Sequence, residues 1–581
     1  MSKKGIKILL LVLCFLQFIA KAQDLSNIGH QKPISISGSL GLRLTEYRSN
    51  LENPYYPNSS YIFTGAPVLS IYGYAIPLSF MWTNQQTGVL GQPFNQFGIS
   101  PTYHHITFQV GYRNISYSKY AMAGYQLFGI GAEYEKGDWK ISACYGRLKK
   151  MELIGIDTSG SLPPYTYKRN AVAGLVRYGN TKRFIALNFL KGMDNPNSVP
   201  TNAKTQALNE ALVTNIPTPA HNLVLDLQCK LPLFLKGLTL ENESAISYYT
   251  NDVTTPLATD SALKKSIPLW GIVSNLTKLN ATSQYYTASN SKLNYANKHG
   301  FNTYLQYTRI DPNYQSMGLN YMQGDIQNIL VGMGVSVFHS TIRLGGSIGR
   351  QNDNLNNASV ASSVRWIGSG NASYSGKHFG MDVGYYNFSS DQTPTVSRFA
   401  DSLRITQSTN TLNCSPRYYF STKGSSHTIC LTLGLNTSLD LNNSLSDTGQ
   451  QRKLYTETAG LNYCLSIKKN DLSINTGIIF TNLTDHAGYA YKSIGANFGA
   501  NKSILSKKVK LGLNGGIFET LQDSSTTVNH TVSFNGGYAL TKKFHTDLII
   551  MYNDAPGVSA ITNLPRGTKE VRLELNLTYT F

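Results

Sequence analysis

Val571-Arg572-Leu573-Glu574-Leu575-Asn576-Leu577-Thr578-Tyr579-Thr580-Phe581 ends the chain, alternating apolar and polar residues without a break. Successive side chains of a β-strand point to opposite faces, so this segment reads as a strand with one apolar and one polar face. A strand of that kind either lays its apolar face on a core or stands in a membrane wall, with the apolar face to lipid and the polar face to a lumen.

The pattern recurs upstream. It runs through Val532/Phe534/Gly536/Tyr538/Leu540, Leu472/Ile474/Thr476/Ile478/Phe480, Leu461/Tyr463/Leu465/Ile467, Ile429/Leu431/Leu433/Leu435 and, near the N-terminus, Ile34/Ile36/Gly38/Leu40/Leu42/Leu44. Each segment is about 10–15 residues, long enough to cross a bilayer when tilted. No helical pattern intervenes, so one repeated all-β architecture replaces the several soluble domains that length alone would suggest.

The connections alternate in kind. Short ones carry lysine or histidine, as at Glu135–Asp138, Asn180–Arg183, Asn297–Gly300, Gly376–His378, Lys468–Asp471, Ser506–Lys508 and Thr541–Lys543; longer polar ones fall around 192–220, 251–281, 389–402, 440–453, 519–528 and 552–567. Transmembrane barrels place short turns in the periplasm and long loops outside. The expected fold is therefore all-β, a single antiparallel up-and-down transmembrane barrel of about 22–24 strands, within a range of about 20–26.

Composition agrees. Charged residues make up 14% of the chain against 37 tyrosines and 50 glycines, which suits a wall with few charges and interfacial aromatic belts. The net charge is +19, and +15 once the four lysines of residues 1–22 are set aside. That charge gathers in the short turns rather than along helices or grooves, which argues against nucleic acid as a partner. Past the signal, Cys144, Cys229, Cys414, Cys430 and Cys464 are odd in number and lack CxxC spacing, so neither a disulfide framework nor a zinc centre is expected. Cys430 and Cys464 fall at similar distances from successive short turns and are the one pair worth testing for a bridge. No cofactor is implied.

Lys3, Lys4 and Lys7, an apolar run from Ile8 to Ile19 and the small-x-small site Ala20-Lys21-Ala22 read as a cleaved signal peptide, with Gln23 the first mature residue. Residues 1–22 are thus the signal, 23–103 N-terminal strands with an irregular and candidate luminal segment, and 104–581 the barrel. Within 50–103, six prolines and the run Gln85–Gly98 break the alternation. This stretch is either two irregular wall strands or a luminal plug, and the plug reading is preferred because a barrel this wide needs an obstruction.

Tyr307–Gly318, Gly346–Leu355 and Gln92–Gly98 resemble stretches of large outer-membrane barrels from Bacteroidota. The resemblance extends along most of the mature chain and implies the outer membrane as its location, with outer-membrane lipid and lipopolysaccharide around it. It also implies recognition of Leu577, Tyr579 and terminal Phe581 by the barrel-assembly machinery. It carries no chemistry.

Three functions compete: a channel or transporter with a partly plugged lumen, a structural or secretion-accessory barrel docking a periplasmic or surface lipoprotein, and a barrel lipid hydrolase. The hydrolase is disfavoured, and no catalytic residue is assigned. Gly345-Gly346-Ser347-Ile348-Gly349 matches a nucleophile pattern but lies inside a strand, and His299, His378, His427 and His545 sit by short turns. Asp311-Pro312-Asn313-Tyr314 with Asp325 suits a proline turn better than a calcium site, and no metal ligand is assigned. Arg43, Arg113, Arg147, Arg177, Arg343, Arg365 and Arg572 should mostly point inward, because each would cost about 2–4 kcal/mol at the lipid midplane. Glu133, Asp226, Glu241, Asp382, Glu457 and Glu574 should balance them in a luminal network.

Overall fold

The computed structural model describes residues 33–51, 56–72, 74–84, 96–154, 163–209, 216–257, 261–395, 404–442, 452–485, 490–522, 525–555 and 567–581. The expected signal peptide and cleavage site, at Ala20, Ala22 and Gln23, lie outside these residues.

The chain is a closed antiparallel barrel of 26 strands. Closure is made by the terminal strand: Thr568–Thr580 pairs with Ser39–Ser49 from Ser39↔Thr580 to Ser49↔Glu570. The Phe581 amide then donates to the Gly38 carbonyl at 3.0 Å. A closed wall leaves no unpaired edge, which is what allows a sheet to stand in hydrocarbon.

The strand count stands at the upper end of the expected range, and described parts of 50–103 belong to the wall. Ser59–Gly65 pairs with Ser39–Ser49, Tyr74–Thr83 with Ser59–Gly65, and Gln96–Ile99 bridges Tyr74–Thr83 to Ile106–Ile115. The described parts of 50–103 are therefore wall rather than plug, while residues 85–95 of the run assigned to the plug lie outside the described residues. The prolines fit because they sit at breaks and offer their carbonyls: Leu78 N donates to Pro67 O at 2.8 Å and Ser100 N to Pro77 O at 2.9 Å. Ile34–Ser37 and Val68–Ile71 continue the first strands past the level of the C-terminus. They are offset at Gly38, whose φ is +105° and where a Cβ would lie 2.2 Å from the Ala66 carbonyl oxygen.

Register sorts the side chains. Leu187, Met333, Ile348, Ile478 and Ile517 all face outward and are more than half exposed. An apolar band of this extent around the whole wall requires lipid. At the short-turn rim the band ends in aromatic pairs, Trp139 with Tyr178, Tyr295 with Phe301, Tyr374 with Phe379, and Phe420 stacked on His427. Tyr579 and Phe581 close the same girdle, their centroids 5.2 Å apart.

The expected short turns are short, and helices occupy the long connections at Thr201–Asn209, Ser261–Ser266 and Trp270–Leu276. The expected loop at 519–528 is mostly strand, since Val509–Gln522 and Ser525–Ala539 run to within two residues of each other.

Candidate functional site

The main buried apolar cluster lies inside the barrel. On the strands from Ile106 to Ile310, a group of luminal positions holds small or aliphatic residues, namely Ala171, Ala173, Leu190, Val224, Ala245 and Ala288, all buried. Two connections from the long-loop end, residues 116–124 and 311–325, fold down into the space these residues leave.

The first is fastened to Glu243, a luminal residue of the strand Leu238–Thr250. Ser118 Oγ donates to Glu243 Oε1 at 3.0 Å and the Lys119 amide does so at 2.6 Å. Gln228 Nε2 donates both to the Tyr117 carbonyl and to Glu243 Oε1, at 3.1 Å each. Tyr117 Oη and Ser142 Oγ share a hydrogen bond of 2.6 Å. Ser142 lies only a few residues above the turn Glu135–Asp138, so this loop reaches well down the lumen.

The second loop lies on the first. Ser316 Oγ donates to the Ala121 carbonyl at 2.5 Å, and the Ala123 amide to the Gly318 carbonyl at 3.3 Å. The wall completes its anchorage: Ser247 Oγ donates to the Gln315 carbonyl at 2.6 Å and the Met317 amide to Asn222 Oδ1 at 3.0 Å. Gly318 is glycine because the loops touch there; a Cβ would lie 2.4 Å from the Ala121 carbonyl oxygen. The two aspartates of this loop serve as acceptors. Asp311 Oδ2 takes the Thr287 amide and hydroxyl, and Asp325 Oδ1 takes the Leu355 amide.

The opposite side of the lumen is different. From about Asn371 to Asn576, inward positions carry neutral amides alternating across the ladder with glycines, as in Asn462 beside Gly477 and Asn475 beside Gly499 beside Asn514. Each amide lies flat over the neighbouring glycine, where a Cβ at Gly477 would meet Asn462 Oδ1 at 2.2 Å and one at Gly499 would meet Asn475 Oδ1 at 2.4 Å. This keeps the wall thin and covers it with donors and acceptors. Near the short-turn mouth Asn501, Asn535, Asp547 and Asn576 line a recess of about 510 Å³.

Several luminal charges are paired. Glu574 holds Arg43 at 3.3 Å and Arg572 at 2.8 Å across the closing seam; Asp382 holds Arg417 at 2.5 Å, Asp194 holds Arg169 at 2.8 Å, and Lys140 meets Glu133 at 2.6 Å. The seven arginines point inward with one exception. Arg147 is on the lipid side near the long-loop rim, 5.0 Å above the Phe128 ring, which shields its charge. Glu457 corrects the expected luminal network, because it too faces outward, accepting a bond from Asn482 Nδ2 at 3.2 Å.

Ser347 faces the lumen and is hydrogen-bonded to Ser369 Oγ at 2.8 Å, within a strand ladder. His427 is outside the wall, so the two do not meet. All five cysteines named above are free; Cys430 stands opposite Asn462 and Cys464 opposite Thr428, which answers the question of a bridge. The infolded loops are the luminal element that sequence reasoning missed. Their signal was present in Ala171-Val172-Ala173-Gly174-Leu175-Val176, where the alternation gives way to apolar residues on both faces.

No known family profile matches the chain, and no curated protein sequence matches it. Among solved structures it is similar to BauA, the ferric preacinetobactin receptor from Acinetobacter baumannii, at 9% identity over 94% of this chain and 81% of that one, with a TM-score of 0.39. It is also similar to OccAB2 of the same organism at 9% identity, over 63% of this chain and 92% of that one, with a TM-score of 0.30. The P pilus usher (PapC) translocation pore is similar at 8% identity over 94% of this chain and 100% of that one, with a TM-score of 0.34. None of these likenesses bears on what the chain carries.

Proposed function

We propose that this chain is an outer-membrane channel that passes polar, mainly uncharged solutes along the amide-covered side of a lumen narrowed by residues 116–124 and 311–325. The carrying observation is the asymmetry of the inner wall: one side holds an apolar cluster covered by two pinned loops, the other is rich in amides whose hydrogen-bonding groups face the opening. The apolar band and its aromatic rim support the membrane location, with the short turns in the periplasm and the long loops outside.

A neutral polar lining exchanges hydrogen bonds with a passing solute as water does, so it neither traps nor repels it. The paired luminal charges cancel much of one another's field. The two infolded loops take the role that a plug takes in other wide barrels.

Liposome swelling tests the reading. Vesicles holding the purified protein should swell in neutral sugars up to a size cut-off, and the cut-off should rise when residues 118–121 are deleted. A barrel that inserts but admits no sugar is an accessory barrel instead.

A further inference from the structure

The connection between Leu238–Thr250 and Ser283–Ala296 does not cover the mouth of the barrel. Register places Leu223, Leu225, Ile246 and Tyr248 on the lipid side of the wall, in line with outward-facing Leu187 and Leu227. Ile267, Val273 and Leu279 of the connection bury themselves against this outer surface, and Tyr248 Oη donates to the Pro268 carbonyl at 3.1 Å. Thr250 Oγ1 ties the far end down through the Lys278 carbonyl at 2.9 Å. The helices thus lie on the outside of the barrel, at its long-loop rim.

Their apolar surface is wider than the wall can cover. In the helix Trp270–Leu276 one residue advances about 100° around the axis, so Ile272 and Leu276 share one flank of buried Val273, with Ser274 on the other side and Leu269 capping the helix start. Leu269 is 57% and Ile272 59% exposed, and Leu257, which bridges to Asn280 in the same connection, is 65% exposed. The same connection carries Lys264, Lys265 and Lys278, all exposed, and Lys191 faces the lipid side on the neighbouring wall opposite Leu223. Asp252 of the same connection is engaged by the Thr254 amide and hydroxyl.

We propose that this external helical segment, from Ser261 to Leu279, is a docking platform for a phosphorylated, multiply acylated glycolipid of the outer leaflet. The acyl chains lie along Leu269, Ile272 and Leu276, continuous with the lipid-facing band below. The lysines take the headgroup phosphates, to which an ammonium binds as a point charge. An exposed apolar flank on the membrane side of a barrel is covered by lipid, and the clustered cations select an anionic one. The inference rests on the outer-membrane location and not on solute passage.

The test reconstitutes the full chain in phosphatidylethanolamine nanodiscs containing either bisphosphorylated lipid A or the same lipid stripped of its phosphates, with retained lipid read by native mass spectrometry after detergent washing. Wild type should keep the phosphorylated form and lose the stripped one. K264E/K265E/K278E should cut retention by at least about tenfold, taking about fivefold per surface lysine. Ile272→Ser/Leu276→Ser should weaken retention of the same lipid without a change of charge. Both variants should keep the heat-modifiable barrel band and wild-type sugar permeation, which separates this proposal from the channel reading. Equal retention of the two lipids, or wild-type retention in both variants, overturns it.

Discussion

Tyr314 Oη donates a hydrogen bond to the carbonyl oxygen of Tyr120 at 3.0 Å, joining two residues that are 194 positions apart and both buried inside the barrel. Burial raises the Tyr314 phenol above its ordinary pKa, so it remains a donor through neutral and alkaline pH. This bond links the second infolded loop to the first. Tyr314→Phe removes the donor and leaves a buried carbonyl short of a partner, at a cost of about 1–3 kcal/mol. The loops should then open more often, seen as larger current fluctuations in planar bilayers at an unchanged number of inserted barrels. A quiet trace matching wild type would separate this bond from loop closure.

Glu243 is the deeper anchor. Glu243→Ala strips the acceptor from Ser118, the Lys119 amide and Gln228 together, so its effect should exceed that of Tyr314→Phe. Sugar permeation should rise and the loop should become sensitive to protease added from outside, while the barrel band in gels is unchanged. Protection equal to wild type would show that apolar packing alone holds the loop.

Gly318→Val tests the contact between the loops by overfilling it. The added side chain meets the Ala121 carbonyl oxygen and the Leu190 side chain at distances no real Cβ tolerates. It should displace residues 311–325 from the wall and increase conductance, with mass-tagging of the free cysteine Cys144 becoming faster as its cover loosens. Unchanged tagging would mean that the loops adjust without moving.

Phe581→Asp addresses the end of the chain. Phe581 stacks edge-on against Tyr579 in the rim girdle and its amide closes the seam on Gly38. A carboxylate belongs poorly in that belt, so the variant should reach the membrane in lower amount while each assembled copy conducts as wild type does. Normal abundance would argue that Leu577 and Tyr579 suffice for recognition by the assembly machinery.

Orientation is open to labelling in whole cells. Ser559→Cys should react with an impermeant thiol reagent and Ser506→Cys should not, in a background lacking the native cysteines. The reverse pattern would invert the barrel.

The wall was legible because lipid imposes one rule on every strand. Leu573, Leu575 and Leu577 alternate with Glu574, Asn576 and Thr578 for the same reason that Ile474, Ile478 and Phe480 alternate with Asn475, Gly477 and Ile479. The strands between Ser59 and Thr83 were harder to read, because Pro67 and Pro77 interrupt the pattern and the breaks they mark are absorbed by pairing with distant residues. The infolded loops were hidden for a related reason. Tyr120 has no local signature of burial; its environment is made by Tyr314 and by the wall residues Ala245 and Ala288, which only the closed barrel brings to it. Turns were readable from lysine and glycine, whereas the direction in which a long loop folds was not.

The native chain supplies the most direct test of passage through the lumen. Cys464 faces inward, exposed, close to the short-turn mouth on the amide-lined side, and Cys430 lies on the same face one strand away. Current through single inserted barrels should be recorded before and after a bulky polyethylene-glycol maleimide is added, using wild type, Cys430→Ser and Cys430→Ser/Cys464→Ser. The account predicts an open wild-type current that falls stepwise on labelling in the first two and stays constant in the last. Absence of any current through inserted wild-type barrels, or a fall that persists without Cys430 and Cys464, would contradict it.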